Sequence, residues 1–293
     1  MKHLLYLLAL AVAFLAASLA CLAQTNDLEK AAQAEYVGKV LTLRQFYEGS
    51  HLRFSADGHL VGRGKTGSWT TDGQIEIDNV HLTDQRLQLK GRRRRLVFDS
   101  ASEEPRDVLG ISASDPLRRS FREFGSRSWK DFVKSANVEV ELELASALRD
   151  ESAITRAMNA VFLAPQDKLA DFVATFWRDF LLKQSGEAPG AESSGGEHLF
   201  RKGEGISPPR ALYHPDPEYS ETARRAGYQE TVQLRVTVSS SGSVQDVKIV
   251  SPVGLGLDEK AVQAVSQWRF DPSRKDGSPV PARINVEVTF RLY

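Results

Sequence analysis

The sequence holds a single cysteine, Cys21, in 293 residues, so the chain beyond it has no disulfide and no thiol chemistry. Net charge is missing too: 38 Lys and Arg offset 38 Asp and Glu, which removes a global electrostatic case for nucleic acid or for an anionic membrane surface. The six histidines, His3, His51, His59, His81, His198 and His214, show no metal-ligand spacing. There is no Gly-x-Ser-x-Gly elbow, and no close pair of carboxylates falls across a recognisable cleft. The run Gly62-Arg63-Gly64-Lys65-Thr66-Gly67 formally matches a dinucleotide fingerprint, but Ser68-Trp69-Thr70 and another turn come directly after it, with no helix start to receive a pyrophosphate. These absences together argue against an enzyme, with no cofactor and no metal expected.

Charge is also absent from Leu4 to Ala23, twenty residues that come after Met1, Lys2 and His3. Residues 1–23 therefore read as a signal peptide or a membrane anchor. Cys21-Leu22-Ala23 before Gln24 offers a cleavage site, twenty apolar residues also suffice to span a bilayer, and Ser18-Leu19-Ala20-Cys21 resembles a lipobox. All three fates place the remainder in a bacterial periplasm, free or tethered to the inner membrane by residues 4–23.

The chain as a whole has an ordinary globular composition, 41% hydrophobic and 26% charged, and its length suggests two modest domains. From Tyr36 to Asp99 short alternating runs, Ile75 with Ile77, Leu87 with Leu89 and Leu96 with Phe98, are separated by turn signals at Asp57-Gly58, Asp72-Gly73 and Lys90-Gly91. This predicts an antiparallel β-meander. Arg92 to Arg95 would then sit at a solvated hairpin tip. A further strand is predicted over Val138 to Leu144. The period changes after it: Ile154, Met158, Val161 and Phe162 suggest one helix, and Leu169, Phe172, Val173, Phe176, Trp177, Phe180 and Leu181 a second, capped by Asp167 and packed on the meander. Residues 24–183 thus read as a β-rich domain followed by helices, and Gly, Ser and Pro over 184–206 as a linker.

The last unit, 207–293, has a readable order. Glu218 to Ala226 is helix-like, Thr231 to Ser239 alternates, Ser241-Gly242 turns the chain into Val244 to Val250, and a helix begins at Leu257 with Asp258 and Glu259 in its first turn, where carboxylates favour the positive end of the backbone dipole. Trp268 closes that helix's buried stripe, and Phe270 returns to the same core with Arg269 in solvent. The final strand, Ala282 to Tyr293, alternates strictly. The fold class is α+β: a three-stranded antiparallel sheet with two helices on its apolar face, preceded by the meander domain.

Ser207-Pro-Pro-Arg-Ala-Leu212, Tyr219 with Ala223-Arg224, the Val232 to Val238 strand, Ser241-Gly242-Ser-Val244, Leu257-Asp258 with Ala261, Trp268-Arg-Phe-Asp-Pro272 and Gly277-Ser-Pro-Val280 together resemble the C-terminal domain of TonB, the periplasmic energy transducer of Gram-negative bacteria. The Tyr36 to Asp99 segment resembles the region preceding that module in TonB-like proteins of soil bacteria. The resemblance implies a protein that binds an extended segment, the TonB box, of an outer-membrane receptor on its final strand, serving energy-coupled transport. The residues it points to are Arg283, Ile284, Asn285, Val286, Glu287, Val288, Thr289, Phe290 and Arg291, with Pro209 and Arg210. Inner-membrane proton-driven motor proteins and a homodimer are further partners it suggests; nucleic acid is not. The chain departs from the family pattern in several places, one being the long Pro-rich spacer, which a folded-looking region and a short linker replace. Asp216 precedes Pro217 where the enterobacterial protein has Gln, Ser220 replaces the usual Pro after Tyr219, and the apolar segment lacks the Ser-x-x-x-His pair that engages the motor. An envelope scaffold that uses the same module without coupling to the proton-motive force is the alternative.

Overall fold

A computed structural model describes residues 24–83, 85–99, 103–112, 114–122, 124–145, 150–188, 199–201 and 204–292. The expected segment Leu4 to Ala23 lies outside them. Among the described residues no helix is long and apolar enough to cross a membrane. The described residues form two compact units, each assembled from separate stretches: those within 24–65, 75–93 and 137–164 in the first, and those within 66–74, 94–136 and 165–292 in the second. These boundaries differ from the expected succession of 24–183, a linker over 184–206, and 207–293. Burial on a shared core groups the segments, and their order along the chain does not.

In the first unit, residues 24–36 are helical (α1). Strands β1 (Val40–Thr42), β2 (His51–Phe54), β3 (Gln74–Leu82), β4 (Arg86–Arg94) and β7 (Asn137–Glu143) form one sheet in the order β1-β3-β4-β7-β2. The sheet is mixed, not a simple antiparallel meander: β4 and β7 are antiparallel, whereas β2 runs parallel to β7 with His51 opposite Glu139. Lys90-Gly91, expected at a turn, lies inside β4, where a side chain on Gly91 would meet the Glu76 carbonyl at 2.2 Å. Glycine is kept there for close backbone approach. Helix α4 (Glu151–Val161) starts where Asp150 accepts a bond from the Ala153 amide at 2.8 Å, and it buries Ala153, Ile154, Ala157, Met158 and Val161 at helical spacing.

The arginine run is structural and not a solvated tip. In this unit Arg92 pairs with Glu76 at 2.7 Å, and Arg93, only 4% exposed, donates to the Tyr47 and Gly49 carbonyls at 2.7 and 2.9 Å. In the second unit Arg94 lies 3.6 Å from Asp107. Buried Arg95 donates to the Phe132 carbonyl and to Ser135 Oγ, with its guanidinium 4.3 Å from the Phe132 ring centre. A guanidinium can be buried at such sites because planar donors meet fixed acceptors.

The second unit is built on a sheet ordered β11-β10-β15-β8: β10 (Thr231–Val238) lies between β11 (Val244–Ser251) and β15 (Ala282–Thr289), both antiparallel to it. The expected three strands are present. The fourth is β8 (Phe200–Arg201), which pairs parallel with Ala282 and Arg283. Short pairs complete the strands: β5 (Leu96–Phe98) with β6 (Pro105–Asp107), β9 (Arg210–Tyr213) with β12 (Arg269–Asp271), and β13 (Ser273–Lys275) with β14 (Ser278–Val280). Helix α6 (Glu221–Ala226) begins at Ser220, whose Oγ accepts from the Ala223 amide, and ends at Gly227, whose φ of 62° suits a left-handed cap. Helix α7 (Leu257–Val265) buries Leu257, Ala261, Ala264 and Val265.

The aromatic stripe supplies the largest departure. Leu169–Asp171 is a 3-10 turn, and helix α5 (Thr175–Gln184) begins only at Thr175 with Ala174 before it, so Asp167 is not its cap. Helix α5 packs on β11, and within the segment expected to form the meander it meets Trp69 and Phe98. Its Asp179 meets Lys248 at 2.7 Å, both largely buried. Trp177 and Phe180 join Trp69 and Phe98 in one cluster with ring centres 5.2 to 6.0 Å apart. Trp69 belongs to α2 (Trp69–Asp72), a one-turn helix that does begin just after Gly67, contrary to expectation. Its start is taken by Ser68 Oγ, which accepts from the Thr70 amide, and a side chain on Gly67 would collide with Asp72 at 2.2 Å. On the far side, α3 (Arg127–Lys134) packs on α6, and Phe121 lies 4.6 Å from Tyr228.

Helix α7 ends at Val265, earlier than its apolar pattern suggests. Trp268 is therefore half-buried on the turn, donating to the Pro215 carbonyl at 3.3 Å, while Phe270 is buried and Arg269 exposed as expected. Asp258 and Glu259 lie in the first turn of α7 as expected, and their carboxyls are also taken out of solvent there. Asp258 is fully buried and accepts from the Val253 and Gly254 amides at 2.9 and 2.7 Å. Glu259 Oε1 accepts from Ser68 Oγ and Trp177 Nε1 at 2.7 and 2.9 Å, and its Oε2 is buried without a partner. Burial raises both carboxyls above their ordinary range, and the Glu259 charge adds to the effect on Asp258, as the nearby Asp72 charge does on Glu259. At these two carboxyls the folded state therefore holds protons more tightly than the unfolded chain does. The pair's stabilisation is fully present below the ordinary carboxylate range and is lost as pH rises through the pair's elevated range. The pair's contribution to the thermal midpoint should fall as pH is raised above about 4.3. Glu259→Gln, which keeps both acceptor bonds, should flatten that slope.

Candidate peptide-docking edge

The two borders of the C-terminal sheet are unequal. Helix α5 lies against β11, whereas among the described residues β15 carries only Phe200–Arg201 of β8 at its start. The pairing of β15 with β10 is regular, Thr231 opposite Thr289 through Val238 opposite Ala282 without a bulge. Beyond the strand, the Phe290 amide donates to the Glu230 carbonyl at 2.8 Å. In an antiparallel ladder, bonded and non-bonded pairs alternate, so the even-numbered residues 282 to 290 turn their backbone groups inward to β10. The odd-numbered ones turn theirs outward. At the start of the strand the Phe200 amide donates to the Pro281 carbonyl at 3.2 Å, an odd position facing out, in agreement with this assignment.

Three residues, Asn285, Glu287 and Thr289, therefore present backbone N–H and C=O groups along an edge that no described strand pairs with. Their side chains are exposed too, because the same alternation sends Val286, Val288 and Phe290 into the core at 9%, 3% and 2% exposure. Arg283 is opposite Arg201 of β8. Across the outer face, Asn285 neighbours Arg235, which in turn neighbours Lys248, and the Thr231 and Thr289 hydroxyls lie 3.0 Å apart.

The edge runs into a groove of about 350 Å³ lined by Asp216, Pro217, Tyr219, Thr289, Phe290 and Arg291. Its floor is held by Tyr219, whose hydroxyl donates to the Tyr228 carbonyl at 2.7 Å and whose ring meets Phe290 edge-on at 5.4 Å. Burial pushes the Tyr219 hydroxyl up to about 12, so it stays a donor at any physiological pH. Asp216 and Arg291 put charges of opposite sign on the groove's walls.

Of the eleven residues singled out from the sequence, the nine from Arg283 to Arg291 lie on or just after β15. Pro209 precedes β9 and Arg210 begins it, on the separate pair with β12, and they do not join the edge. Sequence reasoning missed β8, because Phe200 and Arg201 lie in a stretch whose composition reads as linker. It also missed the groove, although the Pro217-x-Tyr219 spacing beside the last strand's end was available as a signal. Among the described residues no group of three or more His, Cys, Asp or Glu is arranged to hold a metal.

An α+β domain with a strand edge left largely unpaired among the described residues defines a class of module able to accept an added strand. Residues 215–292 match the family model described as Gram-negative bacterial TonB protein C-terminal, so the second unit carries a TonB-type C-terminal domain. The chain is 37% identical over 82 residues to Protein tonB2 of Pseudomonas aeruginosa, covering 28% of this chain and 30% of that protein. It is 34% identical over 77 residues to Protein TonB of Vibrio cholerae serotype O1, covering 26% and 32%. With Protein TonB of Xanthomonas campestris pv. campestris it shares 36% over 77 residues, covering 26% and 34%. The chain thus spans about a third of the length of these relatives. A solution NMR structure of the Pseudomonas aeruginosa TonB CTD aligns with 32% of this chain and 95% of its own, at 22% identity and a TM-score of 0.26.

Proposed function

We propose that this TonB-like protein docks an extended segment of an outer-membrane receptor on β15 by strand addition, in the service of energy-coupled transport across the outer membrane. The observation that carries the reading is the outward row of backbone groups at Asn285, Glu287 and Thr289 on the border strand of a TonB-type domain. Main-chain bonds supply affinity in such docking, and side chains on alternate positions supply selectivity. Six bonds at about 0.5 to 1.5 kcal/mol net each bound the backbone contribution at about 3 to 9 kcal/mol, which suits micromolar binding better than nanomolar. An adapter that must release its receptor is served by that range.

Coupling to an inner-membrane motor requires residues 4–23 to remain as an anchor in the periplasmic protein, and this is part of the proposal. The test of docking uses the full chain, because the compact unit includes 66–74, 94–136 and 165–293 and a 207–293 fragment would strip it. Titration with a TonB-box peptide, followed by amide NMR, should move the resonances of Asn285, Glu287 and Thr289 more than those of Val286 and Val288. Silence at all three odd positions with peptide at millimolar concentration would refute the proposal.

A further inference from the structure

The strand edge is partly held by the chain itself. Phe200 and Arg201 pair parallel with Ala282 and Arg283, and the Phe200 amide donates to the Pro281 carbonyl at 3.2 Å. This register turns the Arg283 amide toward the Phe200 carbonyl, so the outward groups at 281 and 283 meet a strand of the same molecule. Lys275 Nζ lies 4.7 Å from the centre of the Phe200 ring and fixes the segment from the side.

We propose that β8 is a built-in competitor for the first part of the docking edge, which makes binding depend on the length of the visiting strand. The inference rests on the docking function proposed for β15. A peptide that pairs only along Ile284 to Thr289 finds three outward residues and leaves β8 in place. A longer one that also covers Pro281 to Arg283 must displace Phe200 first. Because β8 is joined to the same polypeptide, it competes as a tethered ligand at high effective concentration. The apparent affinity for the longer peptide is then lowered by the fraction of molecules in which the edge is clear. The energies are suited to such competition: the two described residues of β8 pair with only Ala282 and Arg283, and strand bonds that are individually weak in net terms hold the position without locking it. Occupation also guards the start of an exposed edge against pairing with other chains.

The test is binding of two nested synthetic TonB-box peptides, of six and ten residues, to the full chain and to its Phe200→Pro variant. Proline removes the amide that reaches Pro281 and leaves β15 untouched. Phe200→Pro should tighten the ten-residue peptide by about 5- to 20-fold and change the six-residue peptide by less than about twofold. In the unliganded protein the Arg283 amide should exchange with deuterium more slowly than those of Asn285 and Glu287, and Phe200→Pro should abolish the difference. Phe200→Leu, which keeps the amide, should retain a slow Arg283 amide. An unchanged affinity for the longer peptide, an equal gain for both peptides, or fast Arg283 exchange in the parent chain would overturn the proposal. If neither peptide binds and the β15 amides stay still, the docking reading itself falls, and this inference falls with it.

Discussion

Glu287→Pro is expected to weaken peptide binding by at least about tenfold while the protein remains folded. Residue 287 is odd-numbered, so its amide points away from β10, and proline there deletes a donor that the folded protein does not use. Proline is tolerated on border strands for this reason. The visiting strand loses a bond at the middle of its register and meets the pyrrolidine ring where its carbonyl would approach. Val286→Pro is the contrast: it deletes the inward amide opposite Leu234 on the central strand, and about 3 kcal/mol or more of stability should go with it. Peptide titration by calorimetry and urea unfolding of both variants read the two effects separately. A Glu287→Pro protein that binds normally would move the docking site elsewhere. One that unfolds like Val286→Pro would reverse the assignment of inward and outward residues.

The largest stability effect should come from Trp177→Ala, which we expect to cost about 3 to 5 kcal/mol in urea unfolding. Trp177 is 1% exposed, its ring centre lies within 5.9 Å of those of Trp69, Phe98 and Phe180, and its indole N–H is one of two donors to Glu259. Truncation leaves a cavity among three rings and removes a bond from a buried carboxylate that already has one oxygen without a partner. Trp177→Phe should cost less, since most of the packing survives and only the N–H is lost. A loss below about 1 kcal/mol in the alanine variant would mean that α5 is a dispensable attachment and no part of the domain's core.

The residues themselves explain which of these features the sequence disclosed. Strand β15 was legible because Ala282, Val286, Val288 and Phe290 alternate with polar neighbours, and a buried face with a wet face leaves that mark at period two. Helix α6 was legible from its neighbourhood in sequence, although its Ser220 cap and Gly227 stop fix its ends more tightly than the apolar pattern does. The arginine run misled because charge in sequence reads as exposure. Arg93 and Arg95 are buried on backbone carbonyls that arrive from 47, 49 and 132, and no local pattern announces those acceptors. The first-turn placement of Asp258 and Glu259 was legible, but their burial was not, since their donors come from a loop and from segments far away in sequence.

By itself the sequence determined the local periods, the α+β class, the TonB-type character of the last eighty or so residues and the alternation of the final strand. Each of these depends on spacing between neighbours, which side-chain alternation writes directly into the chain. Tertiary structure alone decided that α5 packs on β11, that an aromatic cluster from three separate stretches sits beside α7's acids, that Asn285, Glu287 and Thr289 are the residues facing outward, and that Phe200 already occupies the start of the edge. The physical reason is that which hydrogen-bonding groups remain unpaired depends on every strand that arrives from elsewhere. No period within a strand records that arrival.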